Sequence, residues 1–216
     1  MHLVTAVVLA AGLSSRFPGN KLLYEVRVCG RSKPLIRHTV EKFSALFDDT
    51  VVVVGHEAWE VLNALKDLPV KFVYNTNYTV GMSESVKVGV RAVMKYSSAV
   101  AIHPGDVTFI LPRTLRELLA KARELINEGV GFVLIPRYRP IGKGGHPLII
   151  HRDLLRDALN INERGMGLKE FLNRNRDRVI YYDTGDVGVI ADIDTLNDIK
   201  RNYWLLEREC REASPA

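Results

Sequence analysis

The sequence predicts an α/β protein, a single domain over residues 1–216 with three α/β/α layers around a largely parallel, mixed sheet. Three observations carry that expectation. Continuous β-branched runs alternate with amphipathic stretches at helical spacing, which is the pattern of βαβ units. The first run, Leu3 to Leu9, is apolar without a break, as a strand covered on both faces reads. It leads directly into the small residues Ala10-Ala11-Gly12, at the carboxyl end of an inner strand, where open α/β sheets bind their ligands.

Composition bounds the answer further. The chain has 216 residues, 47% hydrophobic and 25% charged, a soluble globular profile able to bury a core without disulfides. The net charge of +5 comes from cations scattered among acids along the predicted helices, so no basic block points to nucleic acid. No run approaches the ~20 apolar residues of a membrane span, and the first apolar run lacks a basic leader. Cys29 and Cys210 stand far apart without partner spacing. From them we expect neither a zinc site nor a disulfide, and a cytoplasmic setting.

Along the chain, Leu22 to Val28 reads as a short strand, Gly30 as a turn, and Lys33-Pro34-Leu35 as the start of a helix reaching Phe47, with Pro34 in its first turn. Thr50 to Val54, Val70 to Tyr74, Ala99 to His103, Phe132 to Ile135, Leu148 to Ile150 and Val179 to Tyr182 read as strands. Glu57 to Lys66, the stretch opened by Gly81-Met82-Ser83, Pro112 to Glu128, Asp153 to Leu159, Gly165 to Phe171 and a closing segment through Tyr203, Trp204 and Leu205 read as helices. Ser83 is the expected N-cap of its helix. Tyr203 and Trp204 are expected in the core, and residues 211–216 as a frayed tail.

The segment Leu9 to Lys21 carries the chemistry. Ala10, Ala11 and Gly12 let a ligand lie against the backbone, whose N–H groups form a nest for anions. Ser14 and Ser15 add hydroxyl donors, Arg16 a planar fork for phosphate oxygens, and Lys21 a mobile point charge. Together they describe a cradle for a triphosphate. It is not a Walker loop, and no G-x-G-x-x-G follows the strand, which argues against a nicotinamide dehydrogenase.

Asp106, after Gly105 at the end of another inner strand, is the first choice for Mg²⁺, which takes one or two carboxylates plus phosphates and waters. Its alternative role is to cap the helix near Pro112. Asp192 and Asp194 share a face if Ala191 to Asp194 is extended, and either can be the second acid at the metal. Asp194 or Thr195 can equally cap the last helix, with Asp198 in its first turn. The segment 136–147, dense in Gly, Pro and cations, reads as a long functional loop.

These residues stand in the order of a known family. The Leu9 to Lys21 loop with Gly12, Ser14, Arg16, Gly19 and Lys21, the turn Gly81-Met82-Ser83-Glu84-Ser85, the Gly105-Asp106 step, Gly145-His146-Pro147 and Asp192-Ile193-Asp194-Thr195 resemble the molybdenum cofactor cytidylyltransferases and guanylyltransferases. These are MobA-like NTP transferases of the nucleotidyltransferase superfamily. The resemblance implies a Rossmann-like, nucleotide-diphospho-sugar transferase-like fold and transfer of NMP from an NTP to a phosphate-bearing acceptor such as molybdopterin, with Mg²⁺ and release of pyrophosphate. It implies nucleotide contacts from Leu9, Ala10, Ala11, Gly12, Ser14, Arg16, Lys21, Gly81, Ser83 and Ser85, with Ser83 and Ser85 otherwise only helix caps. Arg16, Lys21 and Asp106 would be catalytic, and Asp106, Asp192 and Asp194 would hold the metal. Arg137, Arg139, Lys143, Gly145, His146 and Pro147 would face the acceptor, His146 as a positioning group.

The Ala-Ala-Gly form of the first loop goes with CTP in the resembled group, and a molybdoenzyme or its chaperone is the implied partner. Guanylyl transfer, sugar-phosphate nucleotidyl transfer and nucleotide binding without turnover are the alternatives. The chain departs from the pattern at Phe17-Pro18, with one extra residue before Lys21, at Asp106-Val107-Thr108, which lacks a proline, and at Arg164-Gly165-Met166-Gly167-Leu168-Lys169, which lacks an Asp and an Arg.

Overall fold

The computed structural model describes residues 2–164 and 166–213. In chain order it places β1 (Val4–Ala10), β2 (Glu25–Val28), β3 (Arg31–Pro34), α1 (Leu35–Leu46), β4 (Asp49–Val54), α2 (Ala58–Leu65), β5 (Lys71–Tyr74), α3 (Met82–Val93), β6 (Ala99–Pro104) and α4 (Pro112–Asn127). There follow β7 (Val133–Tyr138), β8 (Lys143–Gly144), β9 (Leu148–His151), α5 (Leu155–Ala158), α6 (Leu168–Arg174), β10 (Val179–Thr184) and α7 (Leu196–Ala213).

The main sheet runs β10-β7-β9-β6-β1-β4-β5, with β8 paired to β7. β1 lies at its interior, parallel to β4 and β6. β9 runs antiparallel to both its neighbours, β6 and β7, so the sheet is mixed as expected. Alternation along β1 feeds two cores. Val4, Ala6, Val8 and Ala10 face α1, α2 and α4, while Val7 and Leu9 face α3, α5 and α6.

The amphipathic periods set which side of each helix is buried. In α4 Leu115, Leu118, Leu119, Ala122 and Ile126 are buried as the spacing predicts. In α3 Val86, Val90 and Val93 are buried.

A third core lies beyond the sheet's carboxyl edge. Phe17 from the first loop, Val26 and Val28 from β2, and Ile193, Ile199, Leu205 and Leu206 from α7 and its approach pack together with Phe109. Cys29, at the tip of the β2–β3 hairpin, is disulfide-bonded to Cys210 in α7 across a sequence separation of 181. The reading that no disulfide follows from the cysteine spacing is corrected, because the third core brings the hairpin tip and α7 side by side. The cytoplasmic setting loses the support it drew from them.

Other expectations shift locally. Leu22 to Val28 is not one strand, since Lys21–Leu23 is a short 3₁₀ turn before β2. Lys33 and Pro34 close the antiparallel hairpin partner of β2 instead of opening a helix, so α1 begins at Leu35. Tyr203 and Trp204 are exposed while the adjacent Leu205 and Leu206 are buried, so the inward face of α7 is offset from the expected one. The helix continues to Ala213, and residues 214–216 of the expected tail lie outside the described residues. No described helix is long and apolar enough to cross a membrane.

Replacing both Cys29 and Cys210 by Ser is expected to lower stability by about 2–5 kcal/mol, since the bond closes a loop of most of the chain. Urea denaturation of the double variant against the oxidised wild type measures it, and coincident midpoints would remove the bond from the stability account.

Candidate functional site

The loop after β1 is fixed before any ligand is considered. Ser14 takes a left-handed conformation (φ 52°), and the Phe17 N–H donates to the Ser14 carbonyl at 2.8 Å, closing a turn. Phe17 then plugs into the third core. The Lys21 N–H donates to Ser14 Oγ at 3.2 Å, and Asn20 Oδ1 accepts from the Leu22 N–H at 3.0 Å. These contacts fold the extra residue before Lys21 into the loop, and the Ser14 hydroxyl proton is still available to a ligand.

Asp106 reaches the loop because Gly105 permits a close approach. The Gly105 N–H donates to the Leu9 carbonyl at 2.8 Å, and a Cβ at Gly105 would lie 2.9 Å from that same oxygen. The backbone after β6 therefore lies against the end of β1. The Asp106 carboxylate then meets Lys21 Nζ at 2.5 Å. Lys21 Nζ also donates to the Ile193 carbonyl at 2.7 Å and lies 3.4 Å from Asp194 Oδ1. Arg16 forms a two-pronged pair with Asp194 at 2.8 and 2.9 Å, so both cations of the loop rest on carboxylates.

Asp194 is held in place by the start of α7. The Asp198 carboxylate accepts from the N–H groups of Asp194 (3.1 Å) and Thr195 (2.7 Å), and the Thr195 hydroxyl accepts from the Asp198 N–H at 3.4 Å. This reciprocal arrangement is a capping box. Thr195, not Asp194, caps the helix, and the Thr195 hydroxyl together with the two N–H groups holds the Asp198 carboxyl below the usual range.

Two cavities share the wall made by Arg16, Lys21, Asp106 and Asp194. The first, of about 300 Å³, runs along Leu9, Ala11, Gly12 and Ser14 to Gly81 and Ser85. The second, of about 310 Å³, is lined by Asp192, Lys143, Gly145 and His146.

Most of the expected site residues therefore converge. Ala10 and Ser83 are buried and line neither cavity, and Ser83 does not cap α3, whose N-cap is Gly81. Arg137 lines neither cavity. It pairs with Asp183 at 2.6 and 3.0 Å and lies over the Tyr181 ring at 4.8 Å, because β7 continues to Tyr138 and carries it alongside β10. The expected long loop is thus partly strand. Pro147 is buried behind His146, joined to it by a cis peptide bond. Gly165 lies outside the described residues.

Asp106 does not cap the helix near Pro112. The buried Asp186 does that work, accepting from the Leu111 N–H (2.8 Å) and the Thr114 hydroxyl (2.9 Å) and pairing with Arg208 at 2.6 Å. Sequence reasoning also missed Tyr78 and Met82, which line the first cavity, and Asn75, whose amide donates to Ser85 Oγ at 2.9 Å. No spacing signal marks them.

The donor set suits a divalent cation. Asp106, Asp192 and Asp194 offer only hard carboxylate oxygens to one cavity, the ligands Mg²⁺ prefers. Among the described residues no three His, Cys, Asp or Glu side chains converge as a ready-made metal cluster. A cation there needs phosphate oxygens to complete its shell.

His146 is held neutral. Burial pushes its pKa down to about 4 against the opposing pull of Asp106 and Asp192, and its Nδ1 has no hydrogen-bond partner among the described residues. His103, fully buried 6.3 Å away ring to ring, is pushed down further by burial and by His146.

A parallel sheet with a small-residue loop at its crevice, cations on that loop and carboxylates opposite them define a nucleotidyltransferase-type α/β protein. The chain belongs to the MobA-like NTP transferase domain family, whose sequence model matches residues 6–179. It is 33% identical to the bifunctional protein GlmU of Aquifex aeolicus over 149 residues, covering 68% of this chain and 29% of that protein. The chain spans about a third of the length of the curated relatives it matches. Among solved structures, a nucleotidyl transferase from Methanothermobacter thermautotrophicus superposes with a TM-score of 0.75 at 26% identity, over 95% of this chain and 98% of that one. The fold is shared with Rv0371c of Mycobacterium tuberculosis, solved with manganese, at a TM-score of 0.69 and 22% identity, over 92% of this chain and 97% of that one.

The unfolded chain takes up a proton at His146 near the ordinary imidazole value of about 6.5, while the native state refuses it until about 4. Stability is therefore expected to fall as pH drops through that window. His146→Gln is expected to shrink the loss between about pH 7 and about pH 5, read from urea midpoints. An identical slope in the variant would exclude His146 as a source.

Proposed function

We propose that this chain transfers a nucleoside monophosphate from an NTP to a phosphate-bearing acceptor, releasing pyrophosphate, with CTP as donor and a molybdopterin-type cofactor as acceptor. The observation that carries this reading is the shared wall, where Lys21 and Asp106 stand between a cavity sized for a nucleotide and a second cavity beside it. The acceptor belongs in the second cavity because Lys143 and the neutral His146 face it. The CTP assignment rests on the Ala10-Ala11-Gly12 form of the loop.

In the reaction an acceptor phosphate oxygen bonds to the α-phosphorus and the bond from that phosphorus to the bridging oxygen of the β-phosphate breaks. The nucleophile is already anionic, so the obstacle is the approach of two anions and the build-up of charge on the leaving group. The N–H groups of the Ala11 to Ser14 turn and the Arg16 fork would hold the leaving phosphates. Lys21 would neutralise the α-phosphate as charge moves. Asp106, with Asp192 or Asp194, would hold a divalent ion, and when bound that ion supplies charge neutralisation and orients the triphosphate. The shared wall between the two cavities would hold donor and acceptor at a fixed approach.

Calorimetric titration of CTP, GTP, ATP and UTP, each with and without Mg²⁺, tests this on the wild type and Asp106→Asn. Magnesium-dependent CTP binding that weakens in the variant supports the reading. Preference for another base overturns the cytidylyl assignment, and no binding of any nucleotide overturns the transferase. Lys21→Ala is expected to cut turnover on the order of 10²-fold with a smaller loss of nucleotide affinity. Asp194→Asn has an opposite sign in the absence of metal. Freed of Asp194, Arg16 and Lys21 are expected to bind CTP alone several-fold more tightly, about the strength of a partly exposed ion pair, and the gain from Mg²⁺ shrinks.

A further inference from the structure

Helix α3 meets the first cavity at its amino end, where Gly81, Met82 and Ser85 line the wall. Its N-cap residue, Gly81, has no side chain with which to accept a hydrogen bond. An N-cap side chain ordinarily takes the N–H two or three residues on. Here that group, the Ser83 N–H, donates instead to Glu163 Oε1 at 2.6 Å, from 80 residues further along the chain. The Glu163 side chain occupies the space a side chain at Gly81 would need. A Cβ there would lie 2.3 Å from its Cδ and 2.5 Å from its Cγ and Oε1. The glycine and the glutamate are thus matched parts of one cap.

Glu163 is itself presented by a tight turn. The Met166 N–H donates to the Glu163 carbonyl at 3.1 Å, and the Gly167 N–H to the Asn162 carbonyl at 2.8 Å. This turn belongs to the segment that departs from the family pattern, where the Asp and the Arg are missing. Gly81 has a φ of +146°, a region open to glycine, so the backbone before α3 is free to move unless something holds it. A carboxylate at a helix amino end also opposes the helix dipole favourably.

We propose that Glu163 is a positioning residue for the nucleotide. Through the Ser83 N–H and its contact with Gly81 it sets the first turn of α3, and with it the wall of Gly81, Met82 and Ser85 against which the end of the nucleotide remote from Arg16 and Lys21 lies. This rests on the first cavity being the NTP site. It makes the segment after α5 a support for the wall of the first cavity.

The test is steady-state kinetics and nucleotide calorimetry on Glu163→Ala and Glu163→Gln beside the wild type, with melting curves for each. Glu163→Ala is expected to raise KM and Kd for the NTP about fivefold to tenfold, the equivalent of one lost cap, with kcat within about twofold. Glu163→Gln keeps an acceptor oxygen and is expected to stay within about twofold of the wild type in both. A purely structural role would lower the melting temperature of Glu163→Ala and leave KM unmoved, which overturns the proposal. So does a loss in Glu163→Gln equal to that in Glu163→Ala. If the wild type binds nucleotide and both variants match it, this proposal alone fails. If the wild type binds none of the four nucleotides, the NTP reading fails first and this one with it.

Discussion

The ammonium of Lys21 sits where three distant parts of the chain meet. Asp106 comes from the end of β6, the Ile193 carbonyl and Asp194 from the approach to α7, and Lys21 itself from the loop after β1. The Lys21 and Asp106 side chains are only 16% and 20% exposed, so their attraction is screened less than that of a pair on an open surface. Everything around it serves to keep those carboxylates within reach. The missing side chain of Gly105 brings Asp106 in, and the capping box of Thr195 and Asp198 fixes Asp194. The third core stops the loop and α7 from drifting apart. The two cavities exist on either side of this junction, so the catalytic potential of the site is a property of the junction more than of either cavity.

What was legible in the sequence was what local chemistry determines. The unbroken apolar run of β1, the small residues after it and the Gly-Asp step at the end of β6 announced an inner strand, a phosphate-sized gap and a carboxylate facing it, and the structure brings these together. What was hidden depended on pairings across long separations. Nothing about Cys29 or Cys210 in isolation marks them as neighbours, because their contact follows from how the hairpin and α7 share the third core. Asp186 resembles any polar residue of a loop, yet it is buried and caps α4 from 75 residues further along the chain. Tyr203 and Trp204 were expected inside on hydrophobicity alone, but the helix turns Leu205 and Leu206 inward instead. Arg137 lies away from both cavities for a related reason, since a strand that continues three residues beyond its apolar run carries this cation to Asp183.

One neutral histidine, His146, lines the second cavity, and a second, His103, is buried behind it. Burial keeps His146 and His103 uncharged, so that cavity is less positive than a count of basic residues suggests, and Lys143 adds a standing charge there. A cavity that sets Arg16, Lys21 and Lys143 against Asp106, Asp192 and Asp194, with one neutral imidazole among them, discriminates by shape and hydrogen-bond pattern as much as by charge. In the first cavity Arg16 and Lys21, shared with the second, stand with Asp106 and Asp194 beside small and apolar residues such as Leu9, Ala11, Gly12 and Leu13.

The late position of α7 in the sequence has a consequence for biosynthesis. A chain emerging from the ribosome presents β1, β4, β5 and β6 before residues 193–210 exist. During that interval Lys21 and Arg16 have no Asp194, Phe17 has no α7 to pack against, and Cys29 has no partner. The binding surface is therefore completed in one late event. A chain truncated before residue 193 would keep the loop's own turn and lose the long-range contacts that anchor Arg16, Phe17 and Lys21.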